Sequence, residues 1–364
     1  MKAKVLRPEF TPGQRIIAIS DIHGNLPYLR ALLEKLHFGA SDALVLVGDL
    51  LEKGPQSLET LRYVMQLCRA GNVYPICGNC DGWYYIFDSD DAEMFSAVRE
   101  YMNMKPQALL SQMCAEIGYP VTPEMDMLAM RETLGRHFST EFDFIRAMPT
   151  IIDTPKYTFV HGGLPEGKLE ELDAHACMKN DNFMRQGRHF DKWVIVGHWP
   201  VMLYGENITC ANPIIDGESH IISIDGGNVL KDDGQLNALV IPGYGQERFE
   251  CEHYDSFETA IALDAQAKGI KSWYIRWGDN RVRVITPGEE FSLCEHIRTG
   301  YRMEILTKYL TDAGDGVFIA NDCTDYVLPV SAGDTLSIVE RTSRGVLCKR
   351  NGVSGWYSGR LRRK

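Results

Sequence analysis

Five short apolar runs of strand-like composition end directly in polar clusters. Arg15 to Ile19 leads into Ser20-Asp21-Ile22-His23-Gly24-Asn25, Ala43 to Val47 into Gly48-Asp49, and Val73 to Cys77 into Gly78-Asn79-Cys80-Asp81. Tyr157 to Val160 leads into His161-Gly162-Gly163, and Trp193 to Val196 into Gly197-His198. Unbroken aliphatic runs of this length are the pattern of buried strands. Between the first three lie helical spacings, with Leu26, Leu29, Leu32, Leu33 and Leu36 on one face and then Ser57 to Cys68. Such alternation predicts an α/β architecture. Each cluster stands just past a strand's C-terminal end, where the strand fixes the backbone and the following loop turns side chains into a crevice.

The rhythm changes from Trp83 to Met148. Aspartates 88, 90 and 91 precede Met-rich stretches of helical spacing around Ala92 to Met104, Gln107 to Ile117 and Glu124 to Thr133, which predict a helical insertion. The aspartates lack the spacing and closing glutamate of a calcium loop, so helix capping and solvation account for them. Strands return at Tyr157, Trp193 and Ile221, and the last of these ends in Asp225-Gly226-Gly227. Residues 1–243 are expected to form one domain carrying the insertion 83–148. Residues 244–364 are expected to form a β-rich domain. Its clearest part, 325–361, has five short segments (Tyr326 to Val330, Ser331 to Asp334, Thr335 to Glu340, Gly345 to Arg350, Ser354 to Tyr357) and resembles a small SH3-like barrel; Val282 to Tyr309 starts similarly. This domain is expected to supply specificity or homo-oligomer contacts and no metal ligand.

A formal charge of −11 offers no basic excess to exchange for counterions, which argues against a nucleic-acid polymer as partner. Met1 to Phe10 contains no continuous apolar segment, and no run of ~18 apolar residues occurs, so no membrane partner and a cytoplasmic location are expected. The 10 cysteines show no zinc-knuckle spacing. The single C-x-x-C, Cys77 to Cys80, has no second pair to complete a site.

The polar clusters share a chemistry. Asp21 and His23, one residue apart in a tight turn, can bind one cation together; Asp49 can bridge two through its two oxygens; Asn79, His161 and His198 complete the second. Carboxylate, imidazole and one carboxamide suit Mn, Fe, Zn or Co better than an all-oxygen Ca or Mg site. Two ions ~3.5–4 Å apart share a hydroxide, polarise phosphoryl oxygens and stabilise charge as a P–O bond breaks. Singly, Asp21 reads as a helix cap, Asp49 as a surface loop residue and each histidine as a ring satisfied by a carbonyl. Six such donors after five strands, several beside a glycine, point instead to metal-dependent phosphoester hydrolysis.

These segments resemble the metallophosphoesterase superfamily, in particular its phosphoprotein phosphatase (calcineurin-like) branch. The Asp-x-His-Gly motif falls on Asp21, His23 and Gly24, the bridging Gly-Asp on Gly48 and Asp49, Gly-Asn on Gly78 and Asn79, and the later histidines on His161 and His198. Lys53-Gly54-Pro55-Gln56-Ser57 is similar to that branch's Arg-Gly-Pro-x-Ser segment, with Lys53 for a phosphate-clamping Arg. Arg185 is similar in placement to a second phosphate-binding Arg. Cys80, followed by Asp81, stands where the branch has its proton-donating His. Pro200 stands where other branches have a second His, leaving the first ion with Asp21, His23, Asp49 and waters.

The resemblance covers residues 15–243 and implies a layered β-sheet core with two metal ions, Mn, Fe or Zn, and a catalytic group of Cys80, Asp81, Lys53 and Arg185. The first functional expectation is a serine/threonine-phosphatase-like enzyme acting on a phosphoprotein or small phosphorylated metabolite. The alternative enzyme is a phosphodiesterase or dinucleoside-polyphosphate hydrolase, which Gly-Asn-Cys-Asp favours. A non-catalytic scaffold acting through the C-terminal β region is the alternative of a different class.

Overall fold

Strand Ile16–Ile19 is buried along its whole length, and its alternate residues serve two different cores. Ile16 and Ala18 join Val45, Val47, Ile152, Phe159, Ile195 and Ile222 in one cluster; Ile17 and Ile19 join Leu44 and Leu46 in another. This follows from the two-residue side-chain period of a strand. In the computed structural model, which describes residues 1–363, the first cluster lies between two sheets. Complete burial of an Ile or Leu side chain contributes about 1.5–3 kcal/mol, so the strands hold mainly through these faces.

One sheet has the order Glu250–Tyr254, Leu236–Ile241, Ile16–Ile19, Ala43–Val47, Val73–Ile76, and its last three strands are parallel. Pro75 lies in the edge strand, where a missing amide is tolerated. The other has the order Val5–Leu6, Ile151–Asp153, Tyr157–Val160, Trp193–Val196, Ile221–Ser223, Ile214–Asp216. Tyr157–Val160, Trp193–Val196 and Ile221–Ser223 are parallel, so their C-terminal ends point the same way. Helices Leu26–Lys35 and Ser57–Cys68 cover the outer face of the first sheet through Leu29, Leu32, Leu33, Leu58, Leu61 and Val64. The result is the mixed α/β layered core that the sequence implies.

The expected insertion is helical: a short turn Trp83–Phe87, then helices Ala92–Met104, Leu109–Glu116, Met127–His137 and Ser139–Ala147. Its Met113, Met130, Phe142 and Ile145 are fully buried in the helix-side core. Asp91 caps its helix by accepting the Glu93 and Met94 amides, while Asp90 pairs with Arg131 and Asp88 with Arg146. The three aspartates are thus spent on local structure.

The chain divides into two compact units, the first comprising Met1–Trp199, Pro213–Leu230 and Gly234–Asp255, the second Pro200–Asn212, Lys231–Asp233 and the chain from Ser256 onward. The second is antiparallel β. Its larger sheet has the order Leu361–Arg363, Glu258–Ala262, Thr335–Thr342, Gly345–Arg350, Val353–Tyr357, Thr209–Cys210. Thus 325–361 is not self-contained: strands from 258–262 and 209–210 complete its sheet. The expected strand Tyr326 to Val330 makes only isolated bridges, Val327 to Trp356 and Val330 to Gln266. A five-stranded sheet of Arg302–Leu306, Phe291–His296, Arg281–Thr286, Phe318–Ala320 and Leu310–Asp312 contains the segment expected to start a second barrel. Among the described residues no helix is long and apolar enough to cross a membrane.

Candidate metal centre

The parallel strands deliver their polar ends side by side, and backbone hydrogen bonds continue the ladder into the loops. The Asp21 amide donates to Gly48 O (3.1 Å), that of His23 to Asp49 O (2.9 Å), and that of Gly24 to Leu50 O (2.8 Å). Across the two sheets, the His198 amide donates to Asp21 Oδ2 at 3.0 Å. Gly48 is needed on two counts: its φ is +81°, and a Cβ there would stand 2.7 Å from the His161 ring. At Gly78 a Cβ would stand 2.2 Å from Asp49.

Four of the six predicted donors, together with Cys80, fall in two clusters that share Asp49: His23, Asp49 and Cys80 in one, Asp49, His161 and His198 in the other, with donor atoms within 4.8 Å of one another in each; Asp21 belongs to neither. His23 Nε2 lies 3.7 Å from Asp21 Oδ1 and 3.9 Å from Asp49 Oδ2, and His161 Nε2 lies 3.3 Å from Asp49 Oδ1. His161 Nδ1 donates to Val47 O at 2.8 Å, which leaves Nε2 turned toward Asp49 and the site. His198 Nε2 is held by Asp181 Oδ1 at 2.7 Å, the carboxylate–imidazole pairing that orients a metal-binding ring. Sequence reasoning misses Asp181, whose polar surroundings Lys179 to Asn182 read as an ordinary turn.

The donor set fits a pair of cations. Asp21 Oδ1, His23 Nε2, Asn79 Oδ1 and His161 Nε2 are buried without a hydrogen-bond partner. Asp21, Asp49, Asp81 and Asp225 are each at most 2% exposed. So much buried negative charge is tolerable only with positive charge beside it. Burial and the neighbouring Asp225 raise Asp21 well above the ordinary carboxylate range. At Asp49 burial works upward but His161 and His23 overcome it, so the carboxyl stays strongly acidic. At His161 burial works downward but Asp49 and Asp21 overcome it, raising the ring to about 10. The pocket's field thus favours a positive charge between these groups. Burial, then His161, lower His198, and burial lowers His23, keeping both rings available as neutral donors.

Asp81 does not reach the crevice. It is fully buried, accepts the Leu50 and Leu51 amides on Oδ1 (3.0 and 3.1 Å) and the Gly78 amide on Oδ2 (2.8 Å), and thereby braces the Asp49 loop against the Asn79 loop. Burial and Asp49 raise it to about 7. Its place is that of a positioning residue. Asn228 has a similar task, its amide donating to Asp21 O and Ile22 O, and only the preceding Gly-Gly turn hints at it. Cys80 is tied to Asp49 by its own amide (2.8 Å), and burial with the Asp49 charge pushes its thiol far above the ordinary range. Lys53 is exposed at the rim of a cavity that Asn79 and Cys80 also line. Arg185 is exposed on the turn Phe183–Arg185.

That cavity, about 380 Å³, is walled by Trp83, Tyr85, Ile86, Met94, Val98 and Tyr101 of the insertion. Trp83 and Tyr101 stack with ring centroids 5.7 Å apart. The wall is fastened to the metal loops by Glu52, which accepts the Tyr101 hydroxyl (2.7 Å) and the Leu109 amide (2.8 Å).

The family model of the calcineurin-like phosphoesterases matches residues 14–232, and the chain belongs to that family. Its two donor clusters around a shared carboxylate are the architecture of a dinuclear, metal-dependent enzyme of that kind. A symmetrical bis(5'-nucleosyl)-tetraphosphatase of Pseudomonas entomophila is 30% identical over 164 residues, 43% of this chain and 47% of the relative. One from Buchnera aphidicola is 52% identical over 64 residues, 17% of this chain and 22% of the relative. The chain thus spans less than half the length of these curated relatives. A solved protein serine/threonine phosphatase from Saccharomyces cerevisiae matches 70% of this chain and 84% of its own at 14% identity and a TM-score of 0.43.

Proposed function

We infer that the chain hydrolyses a dinucleoside polyphosphate or a closely similar nucleotide with a phosphoanhydride chain. This reading replaces the phosphoprotein expectation with the alternative enzyme. The observation that carries it is the aromatic cavity opening beside Asn79 and Cys80. Such a wall offers aromatic faces against which a flat base can stack, each stacked base contributing about 1–3 kcal/mol, and Lys53 at the rim is placed for the phosphate chain. The named activity of the tetraphosphatase relatives supports the same substrate class.

In this reading Asp21, His23 and Asp49 hold one cation, and Asp49, Asn79, His161 and His198 the other. A bound pair supplies Lewis-acid charge to the phosphoryl oxygens and acidifies a water. Lys53 and Arg185 orient phosphates, Asp81 and Asn228 fix the loops, and Asp181 fixes the His198 ring. A polyphosphate leaves as a stable anion and needs no proton from the enzyme, whereas a serine alkoxide does, so a site without imidazole at position 80 suits anhydrides. The first unit, Met1–Trp199, Pro213–Leu230 and Gly234–Asp255, is assigned the catalysis, and the β-rich second unit specificity or contacts between copies.

The test compares kcat/KM of the metal-loaded protein on diadenosine tetraphosphate, an aryl phosphomonoester, an aryl phosphodiester and a phosphoserine peptide. The tetraphosphate is expected to lead by more than about 100-fold, or about 2.7 kcal/mol of transition-state preference. Preference for the phosphopeptide overturns this reading.

A further inference from the structure

A carboxylate buried beside an apolar wall needs a reason, because burying it costs far more than burying a leucine in its place. Glu52 is 2% exposed, while Lys53 next to it is exposed at the rim of the cavity. Both have left-handed backbone, with φ of 69° and 67°, so the chain turns sharply enough to send one side chain inward and the next outward. The turn is itself pinned: the Glu52 amide donates to Ser57 Oγ at 3.0 Å, and the Gly54 amide is shared between His23 O and Glu52 O, both at 2.8 Å. From this fixed base the Glu52 carboxylate reaches two different helices of the insertion. Its Oε2 accepts the hydroxyl of Tyr101, on Ala92–Met104, at 2.7 Å, and its Oε1 accepts the amide of Leu109, the first residue of Leu109–Glu116, at 2.8 Å. Ala108, which precedes that helix, offers no side-chain cap, so the carboxylate satisfies an amide the helix leaves open and lies at the positive end of its dipole. Tyr101 in turn stacks on Trp83 with ring planes 26° apart. The phenol is therefore held twice, by a carboxylate at its hydroxyl and by an indole on its face. Glu52 stands three residues after Asp49 and one before Lys53, so a single side chain links the aromatic wall to the loop that carries both.

We propose that Glu52 is a positioning residue that determines specificity: it sets the aromatic wall in register with Lys53 and the Asp49 loop, so that a base stacked on the wall brings its phosphate chain to Lys53 and the donor clusters. With a donor on each oxygen, Glu52 acts as an acceptor and takes no part in proton transfer. Its effect is on alignment. Where the binding of a remote group is used to orient the reacting one, loss of alignment lowers kcat and not binding alone, and a displacement of about 1 Å can cost about 100-fold. A substrate without a nucleoside gains no orientation from the wall. The inference rests on the nucleotide reading of the cavity.

The test measures kcat and KM of metal-loaded wild type, Glu52→Ala, Glu52→Gln and Tyr101→Phe on diadenosine tetraphosphate and on an aryl phosphomonoester, with bound metal followed by elemental analysis. Glu52→Ala is expected to lower the ratio of the two kcat/KM values by about 10–100-fold, chiefly through kcat on the tetraphosphate, with metal content unchanged. Tyr101→Phe keeps the ring and deletes one bond, and is expected to lower the ratio by about 3–10-fold. Glu52→Gln is expected to stay within about threefold of wild type, since its oxygen can accept the Leu109 amide and its amide can donate to the Tyr101 hydroxyl oxygen. A ratio unmoved in Glu52→Ala or in Tyr101→Phe, equal losses on both substrates, loss of metal, a loss confined to KM, or a Glu52→Gln ratio as low as that of Glu52→Ala overturns the proposal while the nucleotide reading stands. A wild type without preference for the tetraphosphate overturns both. Should Glu52→Ala fail to fold by circular dichroism, the other two variants decide: a fall in Tyr101→Phe with a wild-type-like ratio in Glu52→Gln supports the proposal, and any other pairing overturns it.

Discussion

The loops at the strand ends and the turns of the β-rich unit both use left-handed backbone, but they use it on different residues. In the β-rich unit positive φ falls mostly on glycine, at 278, 300, 314, 316, 333, 345 and 352, with Asp315 and Asn351 the other such positions among its described residues. These residue types adopt the region cheaply. At the metal centre it falls on Asp21 (57°), His23 (51°), Asp49 (49°) and His198 (66°), with Glu52 and Lys53 following. Without glycine's freedom each such position carries a backbone cost, larger at the histidines than at the aspartates, and persists where its surroundings over-determine it. The bonds from Asp21 and His23 to the Asp49 loop, and from Asp81 beneath, are that over-determination. Turns in one region shape the chain; in the other they aim side chains.

Three changes press on this contrast. The largest effect is expected for Asp49→Asn, which keeps shape but removes the charge shared by both clusters: turnover should fall by more than about 1,000-fold, over 4 kcal/mol, with bound metal lost. Unchanged turnover and metal content by elemental analysis would mean that the strained loops serve stability alone. An intermediate effect is expected for Trp83→Ala. Loss of one stacking partner should raise KM for a dinucleoside polyphosphate by about 10–100-fold, with an aryl phosphate little affected. Equal losses on both substrates would detach the cavity from base recognition. The smallest is expected for Gly333→Ala, at φ +95° with no atom within 4 Å of the added Cβ. Urea unfolding should show about 1–2 kcal/mol lost, and kcat should not move. A change in kcat there would give the β-rich unit a part in the chemistry.

What the sequence discloses follows how local the cause is. Asp21, His23, Asp49, Asn79, His161 and His198 stand out in the sequence as candidate donors because each sits at the end of a buried strand, and the strand pattern is local. The insertion is legible for the same reason. Asp81 is named by position but its task is not, because only the fold shows that both its oxygens are taken by amides of residues 50, 51 and 78. Asp181 and Glu52 are missed because their partners lie 17 and 49 residues away. Tyr326 to Val330 alternates like a strand, yet it bridges only singly to neighbours at 356 and 266. Pairing in an antiparallel sheet is chosen by distant segments, which is why 258–262 and 209–210 escape a reading confined to 325–361.

The hydrogen bond from the His198 amide to Asp21 joins residues 177 apart in sequence, and that from His161 to Val47 joins residues 114 apart. Loops of that size close late, after much of the sheet has formed, because their entropy must be overcome before the contact rewards it. A nascent chain therefore lacks the donor set assigned to the second cation until residue 198 has been synthesised, whereas Asp21, His23 and Asp49 of the first all stand within its first 49 residues. A cation bound by the folded chain would stabilise it by mass action, the more so the further its concentration exceeds its dissociation constant. Chelation is accordingly expected to lower the chain's unfolding midpoint, and restoring the cation to raise it again.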